Sequence, residues 1–384
     1  MKRRKFLLVA GGGVILAAGA AGGYVSTRTP DRALQPWKEA GALYAEPRRK
    51  ALSYAILAPN PHNRQPWLVD LSTADQVVLY VDPARLLPHT DPYGRQIIIG
   101  LGCFLELLQM AAGADGYRVE LALFPEGENT TTLDERPVAV ARFVEDGSLT
   151  ADPLFAQVLE RRSLKEPYDL SRLVTRDSLD AVEAAATRGS TVGSTNEPAE
   201  VEVLRRLTHA ALALEIETPR TYKESVDLFR IGKAEIEANP DGIDFSGPMF
   251  EAMHLAGLFT REAALDRSST AYLEGRRAVL ENTDTAMAHI WQVSRGNSRA
   301  EQIAAGRDWL RINLAATAQG LATQPLSQAL QEYPEMKSLY DQAHGLLAPA
   351  GGTVQMLARL GYAAAVPASP RWPLRTRIIG GDRS

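Results

Sequence analysis

The chain has 384 residues, of which 45% are hydrophobic and 23% are charged, and its 42 Lys and Arg against 46 Asp and Glu give a formal net charge of −4. This near balance of charge leaves no basic footprint of the kind that nucleic-acid-binding proteins carry. The single cysteine, Cys103, excludes an internal disulfide and any cysteine-rich zinc or iron–sulfur site. Composition therefore predicts a globular, metal-poor protein.

The chain begins with a basic and then an apolar segment. Basic residues fill positions 2–5, and an apolar run follows at positions 6–21. This order is typical of an export signal, and the adjacent Arg3 and Arg4 resemble the twin-arginine (Tat) signal. The run is also almost long enough for an uncleaved membrane anchor, so cleavage stays open. We expect residues 1–28 to be a Tat-type signal or anchor that is recognised by the Tat translocase and places the protein in the periplasm or on the outer side of the inner membrane.

Hydrophobic periodicity and turn residues predict the elements of the first part of the chain. The helix predicted after Gly94 is apolar nearly all round, which indicates burial on several sides. In chain order we predict a linker (27–47), a helix (48–57), a strand (77–81), a turn (91–94), a long helix (95–112) and two strands (117–124 and 138–144).

The second part of the chain contains further helices and strands. Asp152 followed by Pro153 is a typical helix start, and we expect this helix to end near Arg161. The mixed order of elements indicates an α+β fold, with a boundary between 143 and 152. The remaining predicted elements are a helix (197–217), an apolar helix that includes Met253, Leu255 and Leu258, a strand (287–293), a long helix (299–319) that ends at Gly320, and a short final element (354–360).

The sequence lacks the motifs of several large enzyme classes. It has no P-loop, no H-E-x-x-H and no G-x-S-x-G. The six histidines do not pair at metal-ligand spacing, and Cys103 lies in an apolar helix, where a small buried side chain is expected. Hydrolase and metalloenzyme chemistry is therefore disfavoured.

Three segments carry side chains suited to a ligand. The loop 59–67 combines three prolines, which restrict the backbone, with Asn and Gln amides that suit the edge of a planar heterocycle; a surface turn next to a helix is the alternative. Segment 161–165 offers guanidinium groups and a hydroxyl to a phosphate, although basic residues also complement a helix C-terminus. Segment 320–327 either brings backbone N–H groups to a ligand or is a turn that follows a helix.

Together these segments resemble the FMN-dependent nitroreductase superfamily, and specifically its long, two-half, Acg-like branch. The order of the motifs along the chain carries the resemblance. The matching residues are Pro59, Asn63, Gln65, Pro66 and Trp67 in the family's N-x-Q-P-W loop, Arg161, Ser163 and Lys165 in its R-x-S-x-K/R motif, Gly320, Leu321 and Pro325 in the turn after its long helix, and Leu360, Gly361, Tyr362 and Arg371 near its end.

The resemblance implies a nitroreductase-like α+β fold with a central mixed sheet flanked by helices. Ordinary nitroreductases carry the R-x-S motif before the Q-P-W loop, and their chains dimerise around the flavin, whereas here the loop comes first. The order therefore implies two fused halves, 29–148 and 149–384, that form a pseudo-dimer within one monomer. A single composite flavin site would follow, because the first half has no R-x-S-x-K of its own.

The resemblance also implies roles for individual residues. Arg161, Arg162 and Arg371 would anchor the FMN phosphate, and the catalytic Lys165 would lie near the N1–O2 edge of the flavin. The loop amides would contact the ribityl chain or the ring, and a backbone N–H within 322–326 would reach N5. The expected cofactor-binding residues are Pro59, Asn60, His62, Asn63, Gln65, Arg161, Arg162, Ser163, Lys165, Gln324, Pro325, Leu326, Ser327 and Arg371.

The implied function is an FMN-dependent oxidoreductase that passes two electrons to nitroaromatic or quinone-like acceptors by a ping-pong mechanism. NAD(P)H is the family's usual donor, but it is not freely available outside the cytoplasm, so a membrane or periplasmic donor is the alternative. Two other interpretations stay open: a protein that binds or sequesters FMN without turnover, and a degenerate protein without flavin. The physiological donor and acceptor and the role of Cys103 are left open by the sequence.

Overall fold

The computed structural model describes residues 28–381, so the predicted export signal or anchor lies outside the described residues, apart from Arg28. Helices and sheets are both present, which confirms the predicted α+β class. The helices are α1 (Gln35–Glu39), α2 (Pro47–Ala55), α3 (Arg95–Ala114), α4 (Arg176–Glu183), α5 (Pro198–Glu217), α6 (Pro219–Asp227), α7 (Gly232–Ala238), α8 (Pro248–Leu255), α9 (Arg261–Leu265), α10 (Thr270–Thr283), α11 (Arg299–Ala318) and α12 (Lys337–Leu347). The strands are β1 (Trp67–Asp70), β2 (Gln76–Val81), β3 (Tyr117–Leu123), β4 (Ala139–Glu145), β5 (Thr191–Thr195), β6 (Phe229–Ile231), β7 (Ile243–Phe245), β8 (Ala288–Ser294), β9 (Ala322–Pro325), β10 (Thr353–Gly361) and β11 (Ile378–Gly380).

The two larger sheets repeat one strand order. The first runs β1-β2-β4-β3, and the second runs β5-β8-β10-β9, with antiparallel pairing throughout. In each sheet two strands precede a long helix and two strands follow it, with α3 in the first case and α11 in the second. The C-terminal β11 follows the second sheet along the chain but pairs with the first, parallel to β1. The two parts of the chain therefore share a topology, and the second part adds one strand to the first sheet.

The helices α3 and α11 cross at a pair of glycines. A Cβ added to Gly102 would lie 2.9 Å from the Cα of Gly306, and one added to Gly306 would overlap the carbonyl oxygen of Ile99. The thiol of Cys103 donates to the Gly306 carbonyl at 3.0 Å, and burial raises its pKa to about 12. Cys103 is thus a small, fully buried side chain, as predicted.

One hydrophobic core spans both sheets. Leu101 and Phe104 of α3 belong to the same buried cluster as Ile303 and Leu310 of α11. Among the described residues, α3 is the helix long and apolar enough to cross a membrane, and 83% of the relevant stretch is buried inside the protein. The predicted burial of this helix on several sides is therefore confirmed.

The predicted linker at 27–47 is wrong. The segment contains α1, and the indole of Trp37 is buried and donates to the Ser369 carbonyl at 2.8 Å. The backbone N–H of Arg371 also donates to the Ala33 carbonyl, at 2.8 Å. Contacts with the distant C-terminal segment hold this N-terminal stretch in place. The local sequence gives no sign of such contacts.

The predicted helix from Pro153 to Arg161 is also wrong. The side chain of Asp152 does cap the start, accepting from the Leu154 N–H at 2.9 Å, but only a 3₁₀ turn, Pro153–Gln157, follows. The chain then leaves the helical path, and the Leu164 N–H donates to the Thr323 carbonyl at 2.9 Å. Pairing with β9 replaces the helical hydrogen bonds at this point.

Replacing Gly306 by alanine should lower the free energy of unfolding by about 3 kcal/mol, because the new methyl group forces two tightly packed helices apart. Urea denaturation followed by tryptophan fluorescence measures the change. Gly275→Ala is the matched control: this exposed position in α10 has open space around a Cβ, so the protein should gain roughly 0.5–1 kcal/mol. Equal denaturation midpoints for the two variants would refute the crossing as a constraint.

Candidate functional site

The loop between α2 and β1 has an unusual backbone. His62, Asn63 and Gln65 all adopt positive φ angles, of 48°, 50° and 49°, which cost energy for residues with a Cβ. The Asn60 side chain holds this shape: its Oδ1 accepts from the Gln65 N–H at 2.7 Å and its Nδ2 donates to the Ala58 carbonyl at 3.1 Å. The loop is therefore a braced structure and not a loose surface turn.

The predicted amides of the loop point into the protein. Asn63 Oδ1 accepts from Arg371 Nη1 at 2.7 Å. Gln65 is fully buried; its Nε2 donates to the Pro240 carbonyl at 2.7 Å and its Oε1 accepts from the Trp372 N–H at 2.8 Å. These side chains join the loop to two distant segments, and their contact with a cofactor stays a prediction. Pro59, at the start of the loop, is half-buried.

Arg371 closes the C-terminal end of α2. Its buried guanidinium donates to the carbonyls of Ile56, Leu57 and Ala58 at 3.0, 3.1 and 3.2 Å. These carbonyls belong to the three residues that follow α2, beside the negative end of its dipole. Since Nε and both Nη atoms are already hydrogen bonded within the protein, Arg371 can act on a bound anion mainly through its charge.

Arg161 and Arg162 keep unused donors in the same place. Arg161 Nη1 and Arg162 Nε are buried and have no hydrogen-bond partner within residues 28–381. Arg161 is tied to α2 by one long bond, from Nη2 to the Leu57 carbonyl at 3.4 Å. The ring of Trp37 lies under the guanidinium groups of Arg162 and Arg371, at 4.9 and 5.4 Å. Buried donors without acceptors are uncommon in folded proteins.

The three arginines form a positive cluster without a carboxylate in ion-pair contact among the described residues; we call it the arginine cluster. Burial, with a smaller contribution from Arg162, lowers the pKa of Arg161 to about 10. Burial and the charge of Arg161 lower the pKa of Arg371 to about 9, with Asp244 acting weakly against them. Uncompensated buried charge is costly. A phosphate group fits this environment, because its oxygens would accept from the two unused donors and its charge would balance the cluster.

A second group of titratable side chains surrounds Lys165. The Lys165 side chain is exposed and makes no hydrogen bond or ion pair with another described residue, yet its charge acts on both His62 and Asp244. Burial, then Lys165 and Arg64, lowers the pKa of His62 to about 4, so the imidazole is neutral near pH 7. Its Nε2 lies 3.0 Å from Ser225 Oγ, while Nδ1 is buried without a partner in the described part of the chain.

Asp244 is a member of this group that sequence reasoning missed. It lies in β7, and burial raises the pKa of its carboxyl group, while the charges of Lys165 and Arg371 oppose the rise. A single aspartate outside any motif gives no sequence signal that could have identified it.

The predicted turn at 322–326 is the edge strand β9, which corrects the sequence interpretation. The Leu326 N–H already donates to the Leu357 carbonyl at 2.8 Å, and Pro325 has no N–H. Within 322–326, the backbone N–H groups before Pro325 are therefore the ones left for the predicted hydrogen bond to a cofactor. The buried Ser327 hydroxyl donates a weak hydrogen bond to the Met356 sulfur at 3.8 Å.

Arg359 links this strand to Lys165. This residue was not predicted from the sequence. Its fully buried guanidinium donates to Gln324 Oε1 at 2.6 Å and to the carbonyls of Lys165 and Glu166 at 3.1 and 2.8 Å. The ring of Tyr168 stacks on it at 3.8 Å. A charged residue inside an otherwise apolar strand was the available signal.

The structure brings the predicted segments together. The loop 59–67, segment 161–165 and Arg371 meet at the end of α2, and the Leu164–Thr323 bond adds β9. Ser163 lies half-buried within this group, and its hydroxyl has no hydrogen bond to the described residues. Segments from both parts of the chain therefore build one site.

Known proteins are similar to this chain in sequence. No family model matches the chain. It is 26% identical over 336 residues to a Mycobacterium tuberculosis protein named, by inference, as the NAD(P)H nitroreductase acg, covering 85% of this chain and 93% of that one. A second protein of this organism, named in the same way, is 27% identical over 338 residues, or 85% of this chain and 89% of its own length. These sequence relatives support the resemblance to the nitroreductase superfamily.

Two solved structures are also similar to the chain. A nitroreductase of Anabaena variabilis, assigned by inference, covers 80% of this chain and 82% of its own at 12% identity, with a TM-score of 0.39. The FMN-dependent nitroreductase NfnB of Mycobacterium smegmatis, solved with NADPH, covers 56% of this chain and 92% of its own at 19% identity, with a TM-score of 0.32.

His62 should make folding stability depend on pH. Its pKa is about 4 in the folded protein against an ordinary value of 6.5, so the unfolded chain binds more protons between these values and stability falls as pH falls through them. His62→Gln keeps a neutral polar group beside Ser225 and should remove up to about 3 kcal/mol of this loss. Denaturation at about pH 7 and about pH 4.5 measures the slope.

His89→Gln is the matched control for this measurement, since the His89 side chain is exposed and makes no hydrogen bond or ion pair with the described residues. It should leave the slope of the wild type intact. A wild-type slope in the His62 variant as well would show that this imidazole is not held neutral by its surroundings.

Proposed function

We propose that the protein is an FMN-dependent oxidoreductase of nitroreductase type. The observation that carries the proposal is the arginine cluster, which holds two buried, unused N–H donors where the two parts of the chain meet. Sequence similarity over 85% of the chain to proteins named as NAD(P)H nitroreductases supports the same assignment.

FMN, when bound, supplies the two-electron chemistry that protein side chains lack. Arg161 Nη1 and Arg162 Nε would donate to oxygens of its phosphate. Arg371 would add positive charge while it holds the end of α2 in place. Lys165 would supply positive charge near the N1–O2 edge of the ring, where such charge favours two-electron reduction. The braced loop 59–65 would contribute to the same site.

The proposed reaction moves two electrons from NAD(P)H to a nitroaromatic or quinone-like acceptor. A ping-pong order follows if the donor leaves before the acceptor enters. The relatives' names support NAD(P)H as the donor. The choice of acceptor rests on the resemblance alone.

We further propose that the halves 29–148 and 149–384 form a pseudo-dimer within one monomer. The repeated strand order, the shared core and the strand β11 in the first sheet support this division. The first half contributes the loop, and the second half contributes the arginine cluster and Lys165. One composite site per chain is the consequence.

The protein is proposed to leave the cytoplasm through the Tat translocase. Arg3, Arg4 and the apolar run that follows support this route. Because Tat carries folded cargo, the cofactor would be loaded before export. In the periplasm, or on the outer side of the inner membrane, where NAD(P)H is not freely available, a membrane or periplasmic donor is the alternative source of electrons.

The double variant Arg161→Ala/Lys165→Ala should lose the yellow colour of the purified protein. Removing charge-assisted hydrogen bonds to the phosphate should weaken FMN binding by at least about 100-fold, measured by flavin fluorescence on titration. Arg206→Ala/Lys337→Ala, at side chains 67% and 74% exposed, is the matched control and should bind normally. Stoichiometric FMN in the first variant, with normal folding by circular dichroism, would overturn the assignment of the site.

Turnover should appear as a cycle of absorbance. Anaerobic NADPH should bleach the bound flavin, and a nitroaromatic or a benzoquinone added afterwards should restore the oxidised spectrum. Dithionite serves as the control that the bound flavin can be reduced at all. A flavin that dithionite bleaches but neither NADPH nor a quinol bleaches would favour the sequestering function, and a chain that binds no FMN would exclude both.

A further inference from the structure

Helix α8 packs on a small core of its own. Its inner side places Phe250 and Met253 against the aromatic cluster of Phe229, Phe245 and Phe259. This cluster is separate from the core that the two large sheets share. The contacts fix the orientation of α8, and thereby determine which of its side chains face outward.

The outer side of α8 and the turn that follows it are apolar as well. Met249 and Leu255 of the helix are 62% and 77% exposed, and Leu258, three residues beyond its end, is 64% exposed. The one carboxylate of the helix, Glu251, has a side chain that is only 13% exposed. A surface helix normally turns a polar side to water, so the fold itself gives no reason for this surface. We call it the α8 patch; it consists of Met249, Ala252, Leu255, Ala256 and Leu258.

The described chain enters the fold beside this patch. Arg28, the first described residue, forms an ion pair with Glu251 of α8 at 3.1 Å. Positions 6–21 are the apolar run of the predicted anchor, and only residues 22–27 separate that run from Arg28. Six residues span at most about 20 Å when fully extended. If the run lies in a bilayer, α8 is therefore held close to the bilayer surface.

We propose that the α8 patch inserts into the interfacial region of a lipid bilayer, an inference that rests on the proposed anchor at residues 6–21. Exposed leucine and methionine side chains are suited to the boundary between headgroups and acyl chains. A second weak membrane contact next to an anchor is strengthened by its short tether, which raises its effective concentration at the surface. A second copy of the chain could cover the patch, but the apolar run at positions 6–21 would then still need an apolar environment. A bilayer provides that environment for both the patch and the run.

A single fluorescent label tests the proposal on the full-length protein. Cys103 is fully buried, and its thiol has a raised pKa, so a cysteine introduced by Leu258→Cys reacts selectively with a nitrobenzoxadiazole probe. The protein is reconstituted into vesicles of phosphatidylcholine and phosphatidylglycerol. Leu43→Cys, at a position 55% exposed and outside α8, is the matched control. We expect blue-shifted emission and quenching by nitroxide-labelled lipids at 258, and water-like emission at 43.

Two results would overturn the proposal. Water-like emission at 258 in vesicles would show that the patch stays in solvent. Blue-shifted emission that lipid nitroxides do not quench would show that protein covers the patch, either a second copy or residues 6–21. As a second test, Leu255→Glu/Leu258→Glu should abolish lipid quenching of a probe placed by Met249→Cys while leaving the melting temperature unchanged, because these side chains are exposed. Retained quenching in that variant would also refute insertion.

Discussion

The backbone contact between Gly102 and Gly306 sets the distance between α3 and α11, and through them the distance between the two sheets. The same stretch of α3 supports the loop, because a Cβ on Gly100 would lie 3.1 Å from Asn60 Cβ and 3.3 Å from Pro61 Cδ. The chain after α11 leads directly into β9, whose Thr323 carbonyl receives the Leu164 N–H. One helix crossing therefore positions both walls of the site.

Charge explains why this site calls for a ligand while other arginine-rich places do not. The fully buried Glu106 forms ion pairs with Arg188, Arg307 and Arg311, each within 3.1 Å. The pKa of Glu106 is lowered because these contacts outweigh the effect of its burial. In that group the negative charge of the carboxylate is balanced by the guanidinium groups, which donate hydrogen bonds to it. In the arginine cluster, Arg161 and Arg371 are buried and no described carboxylate is in ion-pair contact with them, so a bound anion would balance the charge of the cluster.

Sequence periodicity was enough to predict the long elements, because α3, α5 and α11 and the strands β2, β3, β4 and β8 each carry a full apolar pattern. The short strands β1, β5 and β11 were missed because three to five residues show no period. Motif order predicted the loop, Arg161 and Lys165 as parts of one site. It did not predict that Gln65 turns inward, because its partners, Pro240 and Trp372, lie 175 and 307 residues away along the chain. The burial of Trp37 and the role of Arg359 depend on contacts of the same long range.

The connection between the first two strands differs between the repeated units, and this difference favours the proposed single site over two sites. Residues 71–75 join β1 to β2, whereas 196–287 join β5 to β8 and fold back over the loop of the first half. Asp241 in this connection accepts from Arg85 of the first half at 2.7 Å and from Trp372 at 3.2 Å. Together with the charge of Arg230, these contacts outweigh the effect of burial and lower the pKa of Asp241. The long connection thus locks one loop in its strained shape beside the arginine cluster. A symmetric partner would need a second such connection and a second cluster, and the first half supplies neither within the residues described.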